Sequence, residues 1–363
     1  MQSVLTHTDS LTAQKPKMVH RGYQRSKDVL LSLLTPAFDV DFLKVQTYWS
    51  FRTPGLSLAA PNDCDNLSVM REPQSGPHSA APLATRPGIG IALGGGFARG
   101  FAHLGVLQVL EQHRIPISCI AGTSVGSILG AAYASGAPLA RIIATCRTLK
   151  FRDIGRWSVS RLGLASNHRL GDLIDRVFDS QHFEDLRIPL AVVATDLNNG
   201  EPVVLTHGNL KDAIRASCAF PGLFEPVNIG TRCLVDGGLV APVPTQAARK
   251  LGAEFVLGVQ VGIQDGHRGA PSNIFQVVAR AVSAAQKHQL EAWERHADLV
   301  LRPDVHSIAW DDFDRADEAI EAGKMVALRA MPRIEKFLER TEMAARGLES
   351  DLQSMLLVAE ATR

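Results

Sequence analysis

Ser124 stands midway between two glycines in Ala121-Gly122-Thr123-Ser124-Val125-Gly126. The apolar run ISCI precedes this stretch, and the small-residue, helix-forming run SILGAAYASG follows it directly. G-x-S-x-G at a strand-to-helix turn is a nucleophile elbow, in which the flanking glycines let the chain crowd into a sharp turn that presents the hydroxyl. A serine at a helix N-terminus also sits where developing negative charge is favoured. The same residues would equally make a plain helix-capping serine. The chemistry therefore depends on what else the chain can bring to Ser124.

A serine nucleophile needs a base. The histidines that follow it are His168, His182, His207, His267, His288, His296 and His306. None falls at a strand-end turn behind a candidate acid, although His207 beside Gly208 comes nearest to a hairpin end. Asp236 is different. In Cys233-Leu234-Val235-Asp236-Gly237-Gly238 a carboxylate stands where an apolar strand stops and two glycines begin. In an α/β sheet, charged residues at the carboxyl ends of strands face the crevice where ligands bind. An aspartate within hydrogen-bond reach can orient and deprotonate a serine directly. The alternative is a turn-forming Asp-Gly.

A third candidate is Gly94-Gly95-Gly96-Phe97-Ala98-Arg99-Gly100. A dinucleotide fingerprint would need an acidic residue closing the second strand, and that strand ends in Ala121-Gly122-Thr123 instead. A phosphate-binding P-loop would need Gly-Lys-Ser/Thr, which does not follow. What the turn offers is backbone N–H groups of successive small residues converging ahead of a helix, the arrangement acyl transfer needs for an oxyanion. Close helix–strand packing at a tight turn is the plainer account.

These three stretches need elements to hold them. Apolar patterning places strands at 88–93, 117–122, 190–197, 231–239, 253–261 and 297–305, with a hairpin partner at 201–208. Helices are expected at 101–114, 124–136, 210–220, 244–252, 274–297 and, as one or two pieces, 310–340. Residues 137–180 read as a helical cap or side layer. Strand, turn and helix in alternation imply parallel strands with right-handed crossovers, hence an α/β fold. The expected organisation is an extension over 1–86, largely disordered or loosely docked, a catalytic domain over 87–305 and a helical segment over 306–363. The first of these is dense in Pro and Ser over 53–87, and an apolar stretch at 29–34 is too short to span a membrane.

The 363 residues carry a formal net charge of +1, which supplies no broad cationic surface for nucleic acid. Five cysteines without paired spacing suit reduced thiols in a cytoplasmic protein, and no Cys/His cluster has metal-ligand spacing. No metal or other cofactor is expected, nor a signal peptide or a membrane-spanning segment. Arg141, Arg147, Lys150, Arg152, Arg156, Arg161 and Arg169 cluster around Trp157. They suit either peripheral contact with an anionic lipid surface or a solvated helical face.

Taken together, the motifs resemble the patatin-like phospholipase family over roughly residues 88–305. Gly122-Thr123-Ser124-Val125-Gly126 matches its elbow, Asp236-Gly237-Gly238 its dyad motif, and Gly95-Gly96-Phe97-Ala98-Arg99-Gly100 its oxyanion turn. The linking stretches ATDLNNGE (194–201), IRASCAFPGLFEPV (214–227) and LVDGGLVAPVP (234–244) are similar to bacterial members. The resemblance implies a three-layer α/β/α sandwich around a mostly parallel sheet. It also implies a Ser124–Asp236 dyad without histidine, acting on fatty-acyl esters of phospholipids or lysophospholipids without a cofactor. The oxyanion would rest on the N–H groups of Gly95, Gly96 and Phe97, with Val125 assisting. Arg99 would brace the turn, and Gly122, Gly126, Gly237 and Gly238 would shape the two motifs. One residue departs from the family pattern: Phe97 replaces the third glycine, so its N–H serves only if the local backbone is open to a non-glycine residue. A soluble thioesterase or carboxylesterase could use the same dyad, and a non-catalytic regulatory protein could keep the same body.

Overall fold

The computed structural model describes residues 88–157, 162–262, 270–271 and 274–361. The extension expected over 1–86 falls outside them, as do Arg161 and His267. The site lies in the compact unit of Ala80–Gly269 and Val278–Arg363.

The chain opens with β1 (Ile89–Leu93), α1 (Ala102–Gln112), β2 (Ile117–Thr123) and α2 (Val125–Ala134). A side layer follows, made of α3 (Leu139–Thr148), α4 (Phe151–Ile154), the short pair β3 (Arg156–Trp157) and β4 (Ala165–Ser166), and α5 (His168–Val177). Next come β5 (Leu190–Asp196), β6 (Pro202–Leu205), α6 (Leu210–Ser217), β7 (Val227–Ile229) and β8 (Arg232–Asp236). The remainder is α7 (Thr245–Lys250), β9 (Phe255–Val259), α8 (Ile274–His288), α9 (Leu290–Glu294), β10 (Leu299–Leu301) and α10 (Ala316–Ala361). The helix expected over 274–297 is thus divided at Gln289. The segment expected over 310–340 forms a 3-10 turn at Phe313–Arg315 and then one helix that runs on to Ala361 through Pro332.

Eight strands make the main sheet, in the order β10-β9-β1-β2-β5-β8-β7, with β6 also paired to β5. The strands from β10 to β5 are parallel, whereas β6, β7 and β8 run antiparallel to their partners. The sheet is therefore mixed, with helices on both sides. Strand side chains alternate between two cores, as the period of two requires. Ile89, Ile91, Leu93, Ile120 and Val192 face a large core with α1, α2, α3, α5, α6 and α10. Ala92, Cys119, Ala121, Ala191 and Val193 face a second core with α7 and Trp293 of α9. The second set is small, which lets α7 lie close to the sheet.

Pairing around β5 positions the site. β6 covers Val192–Thr195 along one edge of β5. β2 pairs with Leu190–Val193 and β8 with Ala194–Asp196. A strand has two edges, so β2 and β8 must share the other one. They run toward each other and meet end to end: Thr123 lies opposite Val193, and Asp236 lies opposite Ala194. The residue after Thr123 is Ser124.

Candidate active site

Ser124 leaves β2 with φ 52° and ψ −124°. This is left-handed backbone, in which a non-glycine residue is strained. Its side chain makes no capping hydrogen bond to α2, so the capping account of this serine is not what the structure contains. The strain is held by neighbours. The Ser124 N–H donates to Ser217 Oγ at 2.8 Å, and Ser217 Oγ–H donates to the Val193 carbonyl at 2.6 Å. The Ser124 carbonyl accepts from both N–H and hydroxyl of Ser127, at 2.8 and 2.6 Å. The flanking glycines are needed for space. A Cβ on Gly126 would stand 2.1 Å from the Leu93 carbonyl oxygen, and one on Gly122 would stand 2.5 Å from Ser127 Cα. Ser124 is 7% exposed.

Asp236 ends β8 and is 4% exposed. The sequence places it at a strand end, as expected, but that strand is antiparallel to β5 rather than part of the parallel set. One carboxylate oxygen accepts from the Gly238 N–H at 2.7 Å. The Ser124 side chain lies close enough to the same carboxylate to favour its ionised form. Thr195 Oγ1–H fixes the Asp236 carbonyl at 2.9 Å. Gly237 is required beneath it, since a Cβ there would lie 2.1 Å from the Val193 oxygen. Burial pushes the Asp236 carboxyl up from 3.8 to about 6, against the opposing pull of the Gly238 N–H and the nearby Ser124 side chain. Of the histidines past the elbow, none that is described lines the pocket that Ser124 opens on.

The glycine turn differs from the expectation in one donor. The Gly95 N–H, counted among the oxyanion donors, is already given to the Pro242 carbonyl at 3.1 Å. The Ala98 N–H likewise goes to the Trp310 carbonyl at 3.0 Å. Among the described residues, the N–H groups of Gly96, Phe97 and Val125 have no such partner. Phe97 has φ 52°, so it occupies backbone that glycine would hold without strain. Its ring packs edge-on against Phe220 and Trp310, with centroids 5.6 and 5.2 Å away. Arg99 is bent back, and its guanidinium donates to the Gly262 carbonyl at 3.3 Å, tying the turn to the end of β9. Burial lowers its pKa to about 10.

An apolar pocket of about 720 Å³ opens on Ser124. Helices α2, α3 and α5 supply most of its wall, and Phe97, Phe101, Phe224 and Phe313 contribute aromatic surface. Among the described residues, no charged side chain lines it. Leu223, just before Phe224, is fully buried in the body and does not line it. Of the basic cluster, Arg147 pairs with Asp317 at 2.7 Å, and Lys150 stands 4.0 Å from Asp314. Arg141 and Arg169 donate to the carbonyls of Arg176 and Arg152. Part of that charge is therefore spent within the protein. Among the described residues, no helix is long and apolar enough to cross a membrane.

The sequence did not single out Ser217, Pro242, Trp310 or Phe313, all of which touch the turn or pocket. Nothing local in their surroundings marks them, because each arrives from a distant element.

A mixed α/β sheet with helices on both sides and a strained serine at the end of a parallel strand defines the fold class. Within it, residues 91–249 match the patatin-like phospholipase family. An uncharacterised NTE family protein of Mycobacterium tuberculosis is 35% identical over 190 residues, 50% of this chain and 52% of that protein. Lysophospholipase NTE1 of Debaryomyces hansenii is 27% identical over 289 residues, 70% of this chain and 19% of that protein. The chain thus spans about half the length, or less, of these relatives. The crystal structure of VipD from Legionella pneumophila shares the fold, with a TM-score of 0.51 and 12% identity, over 68% of this chain and 67% of that one.

Proposed function

We propose that this protein hydrolyses carboxylic esters of fatty acids, phospholipid or lysophospholipid acyl groups among them, through an acyl-enzyme on Ser124. The observation that carries this reading is Ser124, held in strained backbone beside the buried Asp236 carboxylate, at the opening of a pocket whose described lining is uncharged. Such a pocket suits a hydrocarbon chain, which gains by leaving water and needs no polar partner.

In the reaction, Ser124 Oγ attacks the ester carbonyl carbon as its proton passes to Asp236. The carbonyl oxygen becomes an oxyanion and is held by the N–H groups of Gly96, Phe97 and Val125. The C–O bond to the alcohol breaks and the alcohol leaves with the proton from Asp236. Water then gives a proton to Asp236 and attacks the acyl carbon, releasing the fatty acid and restoring Ser124. The raised pKa of Asp236 suits this work: the carboxylate is ionised at neutral pH yet basic enough to take a proton in passing. A second carboxylate or histidine is not required.

The relatives support the acyl chemistry, since one is named a lysophospholipase. The test is hydrolysis of p-nitrophenyl butyrate, p-nitrophenyl palmitate and lysophosphatidylcholine by wild type and Ser124→Ala, with fluorophosphonate labelling mapped by mass spectrometry. Ester turnover and a label on Ser124, both lost in Ser124→Ala, are the expected result. An unlabelled Ser124 with no turnover on any of the three would end the proposal. Faster hydrolysis with anionic vesicles would place the remaining basic side chains at a lipid surface.

A further inference from the structure

His103 lies in the first turn of α1, fully buried, and the reaction above does not use it. Its Nε2 is 2.8 Å from the Gly94 carbonyl oxygen. A carbonyl only accepts, so Nε2 carries the hydrogen and Nδ1 does not. Nδ1 is buried and has no partner among the described residues. Burial holds the imidazole neutral, with its pKa lowered to about 4. A buried polar atom without a partner costs stability, and an apolar side chain would fill the same space without that cost. The Nε2 bond is the feature that distinguishes histidine here.

The accepting atom explains why that bond matters. Gly94 O and the Gly95 N–H belong to one planar peptide. The first is held by His103 and the second by Pro242, at 2.8 and 3.1 Å. Gly94 N–H is also fixed, to the Val259 carbonyl at 3.0 Å. The peptide is therefore clamped on both sides, and the next two N–H groups along the chain are those of Gly96 and Phe97. A rotation of the 94–95 peptide would swing both away from the carbonyl at Ser124.

We infer that His103 is a positioning residue: by holding the Gly94–Gly95 peptide against Pro242, it sets the direction of the oxyanion donors of Gly96 and Phe97. The inference rests on the acyl-hydrolase reading above. It separates two side chains of nearly the same polarity. In His103→Gln the side-chain amide reaches the position of Nε2 and can still donate to Gly94 O. In His103→Asn the amide ends near the position of Nδ1 and falls short.

The test compares wild type, His103→Gln, His103→Asn and His103→Phe on p-nitrophenyl butyrate, and measures binding of a trifluoromethyl ketone and of an unreactive ether of the same chain length. Misplaced donors should lower kcat of the Asn and Phe variants by about tenfold to a hundredfold. KM and ether binding should stay within about twofold, because the lost interaction exists only in the transition state. Affinity for the ketone, which forms a tetrahedral oxyanion adduct, should fall in parallel with kcat. His103→Gln should recover most of the loss. Equal activity in the Gln and Asn variants would overturn the inference, as would losses that appear in KM and ether binding instead of kcat. Should the Phe variant not fold, the Gln–Asn comparison decides. Absence of ester hydrolysis in wild type would overturn the acyl-hydrolase reading and the catalytic value of the clamp with it. The bond is then judged by the 15N imidazole spectrum of wild type: a neutral ring protonated on Nε2 supports it, and a ring protonated on Nδ1 or charged at pH 6 refutes it.

Discussion

Asp236 should give ester hydrolysis an acid limb and, at the same time, contribute a folding stability that is lost as the pH rises. Burial lifts the carboxyl from 3.8 to about 6. That difference in proton affinity is worth about 3 kcal/mol. The folded protein holds this proton more tightly than the unfolded chain. The associated stability is therefore fully present below pH 3.8 and is lost as pH rises through about 6. Catalysis needs the opposite state, because only the carboxylate accepts the serine proton. kcat/KM should rise with pH to a plateau above about 6.5 and fall roughly tenfold per unit below about 5.5.

Asp236→Asn separates the two effects. The amide oxygen can still accept from the Gly238 N–H, so the turn keeps its shape, but the base is gone. Turnover should fall by about a thousandfold or more. At pH 8 the variant should be more stable than wild type by up to about 3 kcal/mol, since no buried charge is held against its pKa. At pH 3.5 the gap should close. The assays are initial rates on p-nitrophenyl butyrate from pH 4.5 to 9 and thermal unfolding of both proteins across the lower part of that range, extended to pH 3.5. A histidine base would also give a limb near pH 6, but replacing that histidine would abolish it and Asp236→Asn would not change the slope of stability with pH. An acid limb below pH 4.5, or an Asn variant that is less stable at pH 8 than at pH 3.5 relative to wild type, would refute the reasoning. His103, with its pKa lowered to about 4, stays neutral across the kinetic limb; it adds a stability slope of opposite sign between about pH 4 and 6.5, but equally in wild type and Asp236→Asn, so the difference between the two proteins reads Asp236 alone.

Three further outcomes follow from the same geometry. The double variant Ser124→Ala/Asp236→Asn should be scarcely less active than Ser124→Ala alone, since groups acting as a unit are non-additive; near-multiplicative losses on the same ester would separate them. Phe97→Gly relieves left-handed strain of about 1–2 kcal/mol but gives up the packing with Phe220 and Trp310. Butyrate turnover should then stay within about tenfold of wild type, because the N–H donor remains, while palmitate turnover falls further, and equal effects on both esters would remove the ring from the acyl pocket. Gly126→Ala should destabilise by about 3 kcal/mol or more, judged by urea unfolding, because its Cβ meets the Leu93 carbonyl at 2.1 Å.

Ser124, Asp236 and the glycine turn were legible because each is a local signal: a short motif at the junction of an apolar strand with a helix or turn. The parallel core from β1 to β2 was legible for the same reason, through strand and helix periods that alternate cleanly. What the sequence hid are arrangements between distant segments. Nothing in LAVVATDL says that one edge of β5 is divided between two strands, or that β8 runs antiparallel. The Gly95 N–H could be counted as a free donor because its acceptor, Pro242, lies far along the chain in an unremarkable loop. His103 reads as one more residue on the buried side of a helix, since a hydrogen bond to a carbonyl nine residues earlier leaves no mark on periodicity. The single long helix over 316–361 was blurred by Pro332, which ordinarily argues for a break.

The division of β5's edge bears directly on how two residues 112 positions apart can act as one unit. Strands that lie side by side are about 4.8 Å apart, so side chains at their ends diverge as the sheet twists. Strands that meet end to end along a shared neighbour face no such divergence. β5 fixes both registers, with Thr123 opposite Val193 and Asp236 opposite Ala194. Ser217 then bonds to the same Val193 carbonyl while it holds the Ser124 N–H, and Thr195 holds the Asp236 carbonyl. Each member of the pair is thus referred to β5 twice, once through the ladder and once through a hydroxyl. Slippage of either strand by one residue would turn its terminal side chain to the opposite face of the sheet and part the hydroxyl from the carboxylate. The strain at Ser124 can persist because the frame around it is over-determined. Relaxing that frame at Ser217 or Thr195, which are not among the residues lining the pocket, should therefore lower turnover without changing the chemistry of either reacting group.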